Sequence, residues 1–387
     1  MVASLNILAS DFDVLLISNG FQAEYEIGFA NGLSRRGLRP LLVCSDNLLL
    51  HRLDVGVKTL NLRGSQRSDR STAQKATNII RYWARLCSLL RVHNGRPVHL
   101  VGLFTLPSTW MALFEAGALR LVAGYFLLTV HNILPHNAHS AINRGLYRLI
   151  YKLPHKLVVH TRRMSAVLQT EFAVPAEKIV VMEHGIDRLM PNSMIEINWL
   201  AGHLDLPPGR RVVLFFGNVS HYKGLDILVA ALLDTPDAID AVLVVAGACL
   251  NPEFRAKISP GLTYLVGSGR ARWVDGFVPE DHVINYFHGA DVLVMPYRAI
   301  DQSGVLFMAL ATGLPVVATN VGSLADYVPG TGGMVVEREN AGALLVGLQA
   351  VIASSDPVKR AARVKDATRF LWSNTVGSVL PAYGWRK

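Results

Sequence analysis

Residues 215–232 read FFGNVSHYKGLDILVAAL. An apolar run ends at Gly217, a short polar loop follows, and Lys223-Gly224 open a helical segment over 223–234 in which Leu225, Leu228 and Leu232 share one face. Strand, glycine turn and amphipathic helix form the opening half of a βαβ unit, so the flanking sequence should repeat the alternation. It does on both sides. Downstream, strands are expected at AVLVVAG (241–247), RWVDGF (272–277), DVLVMPY (291–297), PVVAT (315–319) and GMVVE (333–337). Helices are expected near 252–258, over 280–288 and 304–312, and from about 340 onward.

Upstream, the strands are DVLLIS (13–18), PLLVC (40–44), VHLVG (98–102), YFLLTV (125–130), KLVVH (156–160) and KIVVM (178–182). Helical segments fall at 22–36, 74–93, 139–152 and 162–172. Between the two alternating regions, residues 186–209 gather Pro191, Asn192, Ser193, Pro207, Pro208 and Gly209, which are turn-forming residues. The reading is α/β: two Rossmann-like, doubly wound parallel-sheet domains facing across a cleft. The boundaries are 1–190, a linker over 191–210, 211–370, and a C-terminal helix over 371–387 that returns to the first domain.

A chain of 387 residues is long enough for two such cores, and 51% hydrophobic with 17% charged residues excludes a disordered chain. The three cysteines, Cys44, Cys87 and Cys249, are scattered and fit neither a disulfide framework nor a zinc site. The first twenty residues lack a basic segment, and Asp11 and Asp13 interrupt their apolar run, so a signal peptide is not expected. A cytoplasmic location follows as an expectation, with peripheral attachment to the inner face of the cell membrane. The net charge of +9 calls for an acidic partner. The positives are spread as singles and pairs, without a nucleic-acid-binding motif, so nucleic acid is not expected as that partner.

Several residues at expected strand ends carry polar chemistry. Gly20 turns the chain where its amide could meet a phosphate or a sugar. Lys223 sits in a first helical turn, where the helix dipole disfavours a cation unless an anion meets it. Gln302, Ser303 and Gly304 precede an apolar helix whose free N–H groups make an anion site, with Ser303 either capping the helix or touching the phosphate. TVHNILPHN (129–137) places His131 and His136 at a strand end, as hydrogen-bonding groups or as a base. Glu183-His184 end the first half, facing an acceptor or clamping the hinge. Asp11-Phe12-Asp13 is a DxD triplet, but it stands at the amino end of a strand and reads as solvated turn residues, not a metal site.

These segments resemble the GT-B glycosyltransferases, in particular the large family 4, over most of the chain and most closely at 212–234 and 272–328. FGNVSHYKGLDILVAAL is similar to that family's donor segment, GLPVVATNVGSLADYV to its nucleotide-sugar segment, and HGID (184–187) to its Asn-Gly-Val/Ile-Asp turn. The resemblance implies transfer of a hexose-like sugar from a nucleoside-diphosphate sugar to a hydroxyl, with retention at the anomeric carbon and no metal or other cofactor. Donor contacts would come from Gly20, Gly217, Asn218, Lys223, Gly224, Asp275, Phe277, Gln302, Ser303 and Gly304, with the base held along RWVDGFVPE (272–280). His131, Asp301 and Glu183 would serve the reacting groups.

There are departures. Asn218 stands where the family often has arginine, and the family's Glu-x7-Glu pair is missing, with Met308 and Asp301 falling at or near its positions. Two other readings therefore stay open: a catalytically inactive GT-B partner subunit, and a sugar-nucleotide epimerase of the same architecture.

RGLYRLIYKLPHK (144–156) sets Arg144, Arg148 and Lys152 along one helical face, with Leu146, Leu149, Ile150 and Leu153 on the other. IIRYWARLCSLLR (79–91) mixes Arg81, Arg85 and Arg91 with Tyr82 and Trp83. Basic amphipathic helices of this kind lie on anionic membranes. Both fall in the half that takes the acceptor in the resembling family, which points to a lipid-linked or saccharide acceptor in bacterial polysaccharide synthesis.

Overall fold

A computed structural model describes residues 11–385, apart from 19, 21, 47, 67–68, 94, 103–108, 135–139, 191–197 and 301–302. The chain forms two units: Met1–Asp187 with Phe370–Lys387, and Arg188–Arg369.

The first unit holds strands β1 (Val14–Ile17), β2 (Pro40–Cys44), β3 (Lys58–Asn61), β4 (Pro97–Leu100), β5 (Tyr125–Val130), β6 (Lys156–Val159) and β7 (Ile179–Val181). They pair in parallel in the order β3-β2-β1-β4-β5-β6-β7. Its helices are α1 (Ala23–Arg35), α2 (Thr72–Val92), α3 (Thr109–Val122), α4 (Ala141–Lys152) and α5 (Arg162–Phe172). Because β1, β2 and β4–β6 are covered on both faces, they are mostly apolar runs rather than alternating, with His99 and Thr129 as buried exceptions. Helices α2–α5 bury Leu86, Leu119, Ile150 and Leu168 on one face of the sheet. The other face receives Phe29 and Leu33 of α1 together with Trp372 and Val376.

The second unit begins with the short α6 (Trp199–His203) and continues β8 (Arg211–Phe216), α7 (Leu225–Asp234), β9 (Ala241–Ala246), α8 (Pro252–Gly267), β10 (Ala271–Val274), α9 (Glu280–Gly289) and β11 (Val292–Met295). Then come α10 (Gly304–Thr312), β12 (Val316–Thr319), α11 (Leu324–Tyr327), β13 (Met334–Val336), α12 (Ala341–Ala353) and α13 (Pro357–Asp366). The sheet order is β10-β9-β8-β11-β12-β13, again all parallel. In both sheets the order reverses between the first and fourth strands, where open α/β sheets bind ligands beyond the strand carboxyl ends.

The last short helix, α14 (Trp372–Thr375), belongs to the first unit. A backbone bridge joins Ile186 to Leu371, with Ile186 N–H donating to Phe370 O (2.7 Å) and Trp372 N–H to Ile186 O (3.0 Å). The Trp372 ring fills a slot over Gly28, Gly32 and Gly185, where any Cβ would collide with it. Trp372→Ala should empty that slot and destabilise the first unit by about 3–5 kcal/mol, read as a fall in its thermal midpoint. An unchanged midpoint would mean that the slot closes without the ring.

Several elements depart from the sequence reading. The C-terminal helix expected over 371–387 is only the short α14 followed by 3-10 turns, and α11 was not expected. β3 (KTLN) is an exposed edge strand with no apolar run to announce it. α3 is apolar on nearly every side, so it lacks the polar face that makes a helical period visible. α8 runs on through Pro260 to Gly267, nine residues past the expected end at 258, because Ile258, Leu262 and Leu265 continue its buried face.

Candidate functional site

The second unit builds its site where β8 and β11 diverge. Gly217 ends β8 with φ +89, a conformation that favours glycine. Its amide donates to Ala246 O (2.9 Å), which directs the following loop away from the sheet. Residues 221–223 form a single 3-10 turn, and Gly224, at φ +69, packs so tightly on the Pro296 carbonyl that a Cβ there would overlap it.

Lys223 therefore lies just before α7, not in its first turn as the sequence suggested, because Gly224 takes the helix N-cap. Nor is it a solvated surface lysine. It is 6% exposed, its Nζ donates to Phe216 O (3.3 Å), and it rests 5.6 Å from the centroid of the Tyr297 ring. Burial lowers its ammonium to about 8. A Cβ on Gly217 would stand 2.8 Å from that Nζ, so a side chain at 217 would crowd the cation.

Ser303 occupies the N-cap position of α10 but does not cap it with its side chain. Burial chiefly pushes up the ionisation of the buried Tyr297 phenol, and the Ser303 hydroxyl opposes it. Leu306 N–H donates to the Ser303 carbonyl (3.1 Å) rather than to its side chain, and the N-terminus of α10 opens on this corner. Gly304 is exposed, with open space where a Cβ would stand. Val305, one residue on, reaches within 3.7 Å of the Cβ position of Gly217. The α10 start, the Gly217 turn and Lys223 are brought together as a compact cationic corner. Asp301 and Gln302 lie outside the described residues.

One arginine that sequence reasoning passed over ties this corner down. Arg298 N–H donates to Tyr222 O (2.7 Å) and its Nη1 to His221 O (2.7 Å). The same guanidinium takes both carboxylate oxygens of Asp226 (2.8 and 3.0 Å), which Lys257 also meets (2.7 Å). Burial opposes ionisation of Asp226, but these two cations hold it at about 2. Arg360 fixes the other helix from beneath, donating to Thr312 O at the end of α10 and to Phe287 O, His288 O and Ala290 O at the end of α9.

Of the other residues expected at the donor, Asn218 is exposed in the loop. Asp275 and Phe277 follow β10 at the same edge of the sheet. The Asp275 carboxylate is committed to Arg255 (2.6 and 2.9 Å), which holds it below its usual range and itself covers Trp273. That leaves the backbone and the exposed Phe277 ring for a base.

In the first unit, Gly20 is not an open amide for a phosphate. Its N–H already donates to Ser18 Oγ (3.0 Å) and to the buried Glu26 carboxylate (3.2 Å), and the Arg63 guanidinium lies against its α-carbon. His131 follows β5 and donates from Nε2 to Val101 O (2.6 Å). Its edge meets Tyr25 at 4.5 Å, and burial with neighbouring His160 holds it well below ordinary imidazole values. It is therefore neutral near pH 7. Glu183 is exposed beyond β7, two strands along the sheet from β5. His136 lies outside the described residues.

The structure gathers histidines that the sequence reading treated singly or missed. His160 is 5.2 Å from His131 and 5.8 Å from His184, and Tyr25 touches all three rings. His99 completes the group beneath, bonded to Thr129 Oγ1 (2.8 Å) and to the Tyr383 hydroxyl of the C-terminal segment. Burial lowers His99 to about 3 and His160 to about 4.

The basic residues divide. Arg81, Arg85 and Lys152 are exposed. Arg144 and Arg148 are not simply solvated: Arg144 pairs with the Glu171 carboxylate (2.5 Å) and Arg148 bonds Glu171 O (2.7 and 3.0 Å). Leu149, expected on the packed face of α4, is exposed instead. Among the described residues, no group of three or more His, Cys, Asp and Glu could hold a metal ion. Among the same residues, no single helix is long and apolar enough to cross a membrane.

Two parallel sheets with Rossmann strand order and a cationic corner at the second switch point define the GT-B fold, and solved structures agree. A glycosyltransferase from Rickettsia africae ESF-5 superposes with a TM-score of 0.73 at 18% identity, covering 96% of this chain and 98% of that one. Anabaena Alr3699/HepE, solved with UDP-glucose, gives 0.71 at 16% identity over 96% of this chain and all of the other (100%). Within that fold, residues 210–354 match the family model described as Glycosyl transferases group 1. Curated relatives include a D-inositol 3-phosphate glycosyltransferase of Mycolicibacterium gilvum, 29% identical over 236 residues, which are 59% of this chain and 51% of that protein. The lipopolysaccharide core mannosyltransferase LpsB of Rhizobium meliloti is 29% identical over 175 residues, 44% of this chain and 49% of that one. The chain spans about half the length of the curated relatives it matches.

Proposed function

We propose that this chain transfers a sugar from a nucleoside-diphosphate sugar to a hydroxyl acceptor, lipid-linked or saccharide, in polysaccharide assembly. The observation that carries the proposal is the buried Lys223 ammonium, set between the Gly217 turn and an α10 start that Ser303 leaves uncapped. A buried cation beside a helix N-terminus suits a diphosphate leaving group, whose charge grows as the bond to the anomeric carbon breaks. In the same step the acceptor oxygen bonds to that carbon, on the face the leaving group vacates, and its proton passes to the departing phosphate. Support also comes from the group 1 family match over 210–354, from relatives named as glycosyltransferases, and from the HepE structure containing UDP-glucose.

In this reading His131, neutral and donating to a backbone carbonyl, orients the sugar rather than serving as a base. Asp275 acts through Arg255 to shape the base pocket that Phe277 borders. Saturation-transfer NMR against UDP-, GDP- and ADP-sugars should show one nucleotide class binding. Silence towards all of them would reject the donor site and turn attention to an inactive partner subunit.

A further inference from the structure

The outward surface of α3 inverts the usual pattern for a helix on a sheet. Its inner face is packed through Ala112, Ala116, Leu119 and Ala123. Its opposite pole, at spacing i, i+4, i+7, i+11, carries Trp110, Phe114, Gly117 and Leu121. Trp110 is 63% exposed, Phe114 70% and Leu121 87%. The neighbouring helices extend the patch. On α2, Trp83 touches the Phe114 ring edge at 6.3 Å, and Ile80 stands out to solvent. On α4, Ile142 and Leu149 occupy the flank away from Arg144 and Arg148, which lean towards Glu171 of α5, and they are exposed. Contiguous exposed apolar surface of this kind marks an interaction site.

Charge identifies what covers it. Helices α2, α3 and α4 contain Lys75, Arg81, Arg85, Arg91, Arg120, Arg144, Arg148 and Lys152, all exposed. Against these eight cations they contain one acid, Glu115, which is buried. These three helices therefore contribute +7 (eight minus one) of the chain's formal +9. An apolar ridge edged by cations, with no exposed acid on the three helices themselves and the Glu171 carboxylate of α5 paired with Arg144 at the far flank, matches an anionic lipid surface: the aromatic and aliphatic side chains enter the acyl boundary while the arginines stay at the headgroups.

We propose that the outer face of α2, α3 and α4 seats the first unit on an anionic membrane, with the Trp110–Phe114–Leu121 ridge of α3 as the inserting element. The basic faces of α2 and α4 then supply attraction, and α3, rather than those faces, supplies depth. The proposal rests on the lipid-borne form of the acceptor above for its purpose, but it is measured without sugar transfer.

The test uses the whole chain with phosphatidylcholine vesicles, with and without phosphatidylglycerol. Wild type should co-sediment with the anionic vesicles, less so as salt rises. Trp110→Ser, Phe114→Ser and Leu121→Ser combined should weaken that binding by about tenfold or more while the thermal midpoint and sugar-nucleotide binding stay unchanged. In wild type, brominated lipid should quench the part of the fluorescence that Trp110→Phe removes. The proposal is overturned if wild type ignores anionic vesicles, if the triple variant binds them equally well, or if Trp110 is not quenched. It is also overturned if light scattering shows a wild-type dimer that the triple variant breaks, since the ridge would then belong to a second copy. Loss of sugar-nucleotide binding by wild type would count against the transfer reading alone and leave the vesicle result standing.

Discussion

Lys223→Met is expected to weaken nucleotide-sugar binding by roughly 10- to 100-fold, the loss of a charge-assisted hydrogen bond to phosphate. It should not harm the fold. The ammonium is 6% exposed, and burial lowers it to about 8, so in the empty protein it destabilises the native state at neutral pH. Removing it should leave the thermal midpoint unchanged or raise it, by up to about 3 kcal/mol of stability at pH 7. A structural lysine would show the opposite pairing, with lost stability and little change in affinity.

The pH dependence follows from the same shift. A diphosphate needs the protonated amine, so calorimetric affinity should be flat below pH 7 and fall above pH 8. Near pH 8 the site is about half protonated when empty, so binding should take up close to half a proton, read from titrations in buffers of different ionisation enthalpy. Affinity that holds to pH 10 would assign the phosphate to the α10 amides alone.

Acid should unfold the first unit well before the second. His99 and His160 are wholly buried and neutral, with His99 lowered to about 3 and His160 to about 4 by burial. In the unfolded chain they protonate near 6.5. Between those values the unfolded state binds more protons than the folded one, so stability falls as pH drops below 6.5 and is unaffected above it. Each contributes about 1.4 kcal/mol per pH unit, so together they cost about 5 kcal/mol at pH 4.5, a large share of a domain's margin. His131 and His184 add to this in the same direction, less fully because each keeps an exposed edge. Thermal scans from pH 7.5 to 4.5 should show the loss, and His99→Gln with His160→Gln should flatten it. A midpoint that stays level down to pH 5 would show that the imidazoles take up protons in the native state.

What the sequence made legible, and what it hid, follows from where each interaction is encoded. The Gly217 to Leu232 segment is local: turn, cation and helix stripe stand within one βαβ half, so residue types and spacing reveal it. That both sheets are parallel and doubly wound follows from the same alternation, while the strand orders come from the structure. The histidine group is not local. His99, His131, His160 and His184 sit at or just beyond the ends of four different strands, and only the parallel order β4-β5-β6-β7 sets them side by side. Arg298 and Asp226 are likewise 72 residues apart, and nothing in either neighbourhood names the other. The burial of Lys223 was hidden because it depends on the Tyr297 ring and on Gly224 moving the helix start by two residues, from 223 to 225. α3 was missed for the reason that makes it interesting: a helix apolar at both poles has no period to read.

The route of the chain through the first unit also orders its assembly during synthesis. Residues 188–369 form one uninterrupted stretch and can complete their core as soon as they clear the ribosome. The preceding unit cannot, because the slot over Gly28 and Gly32 waits for Trp372, and His99 waits for Tyr383. Its early-made sheet therefore stands with one face partly bare while the following 182 residues (188–369) are translated. A chain released after residue 369 would carry a finished second unit and an open first one, the form on which chaperones and proteases act.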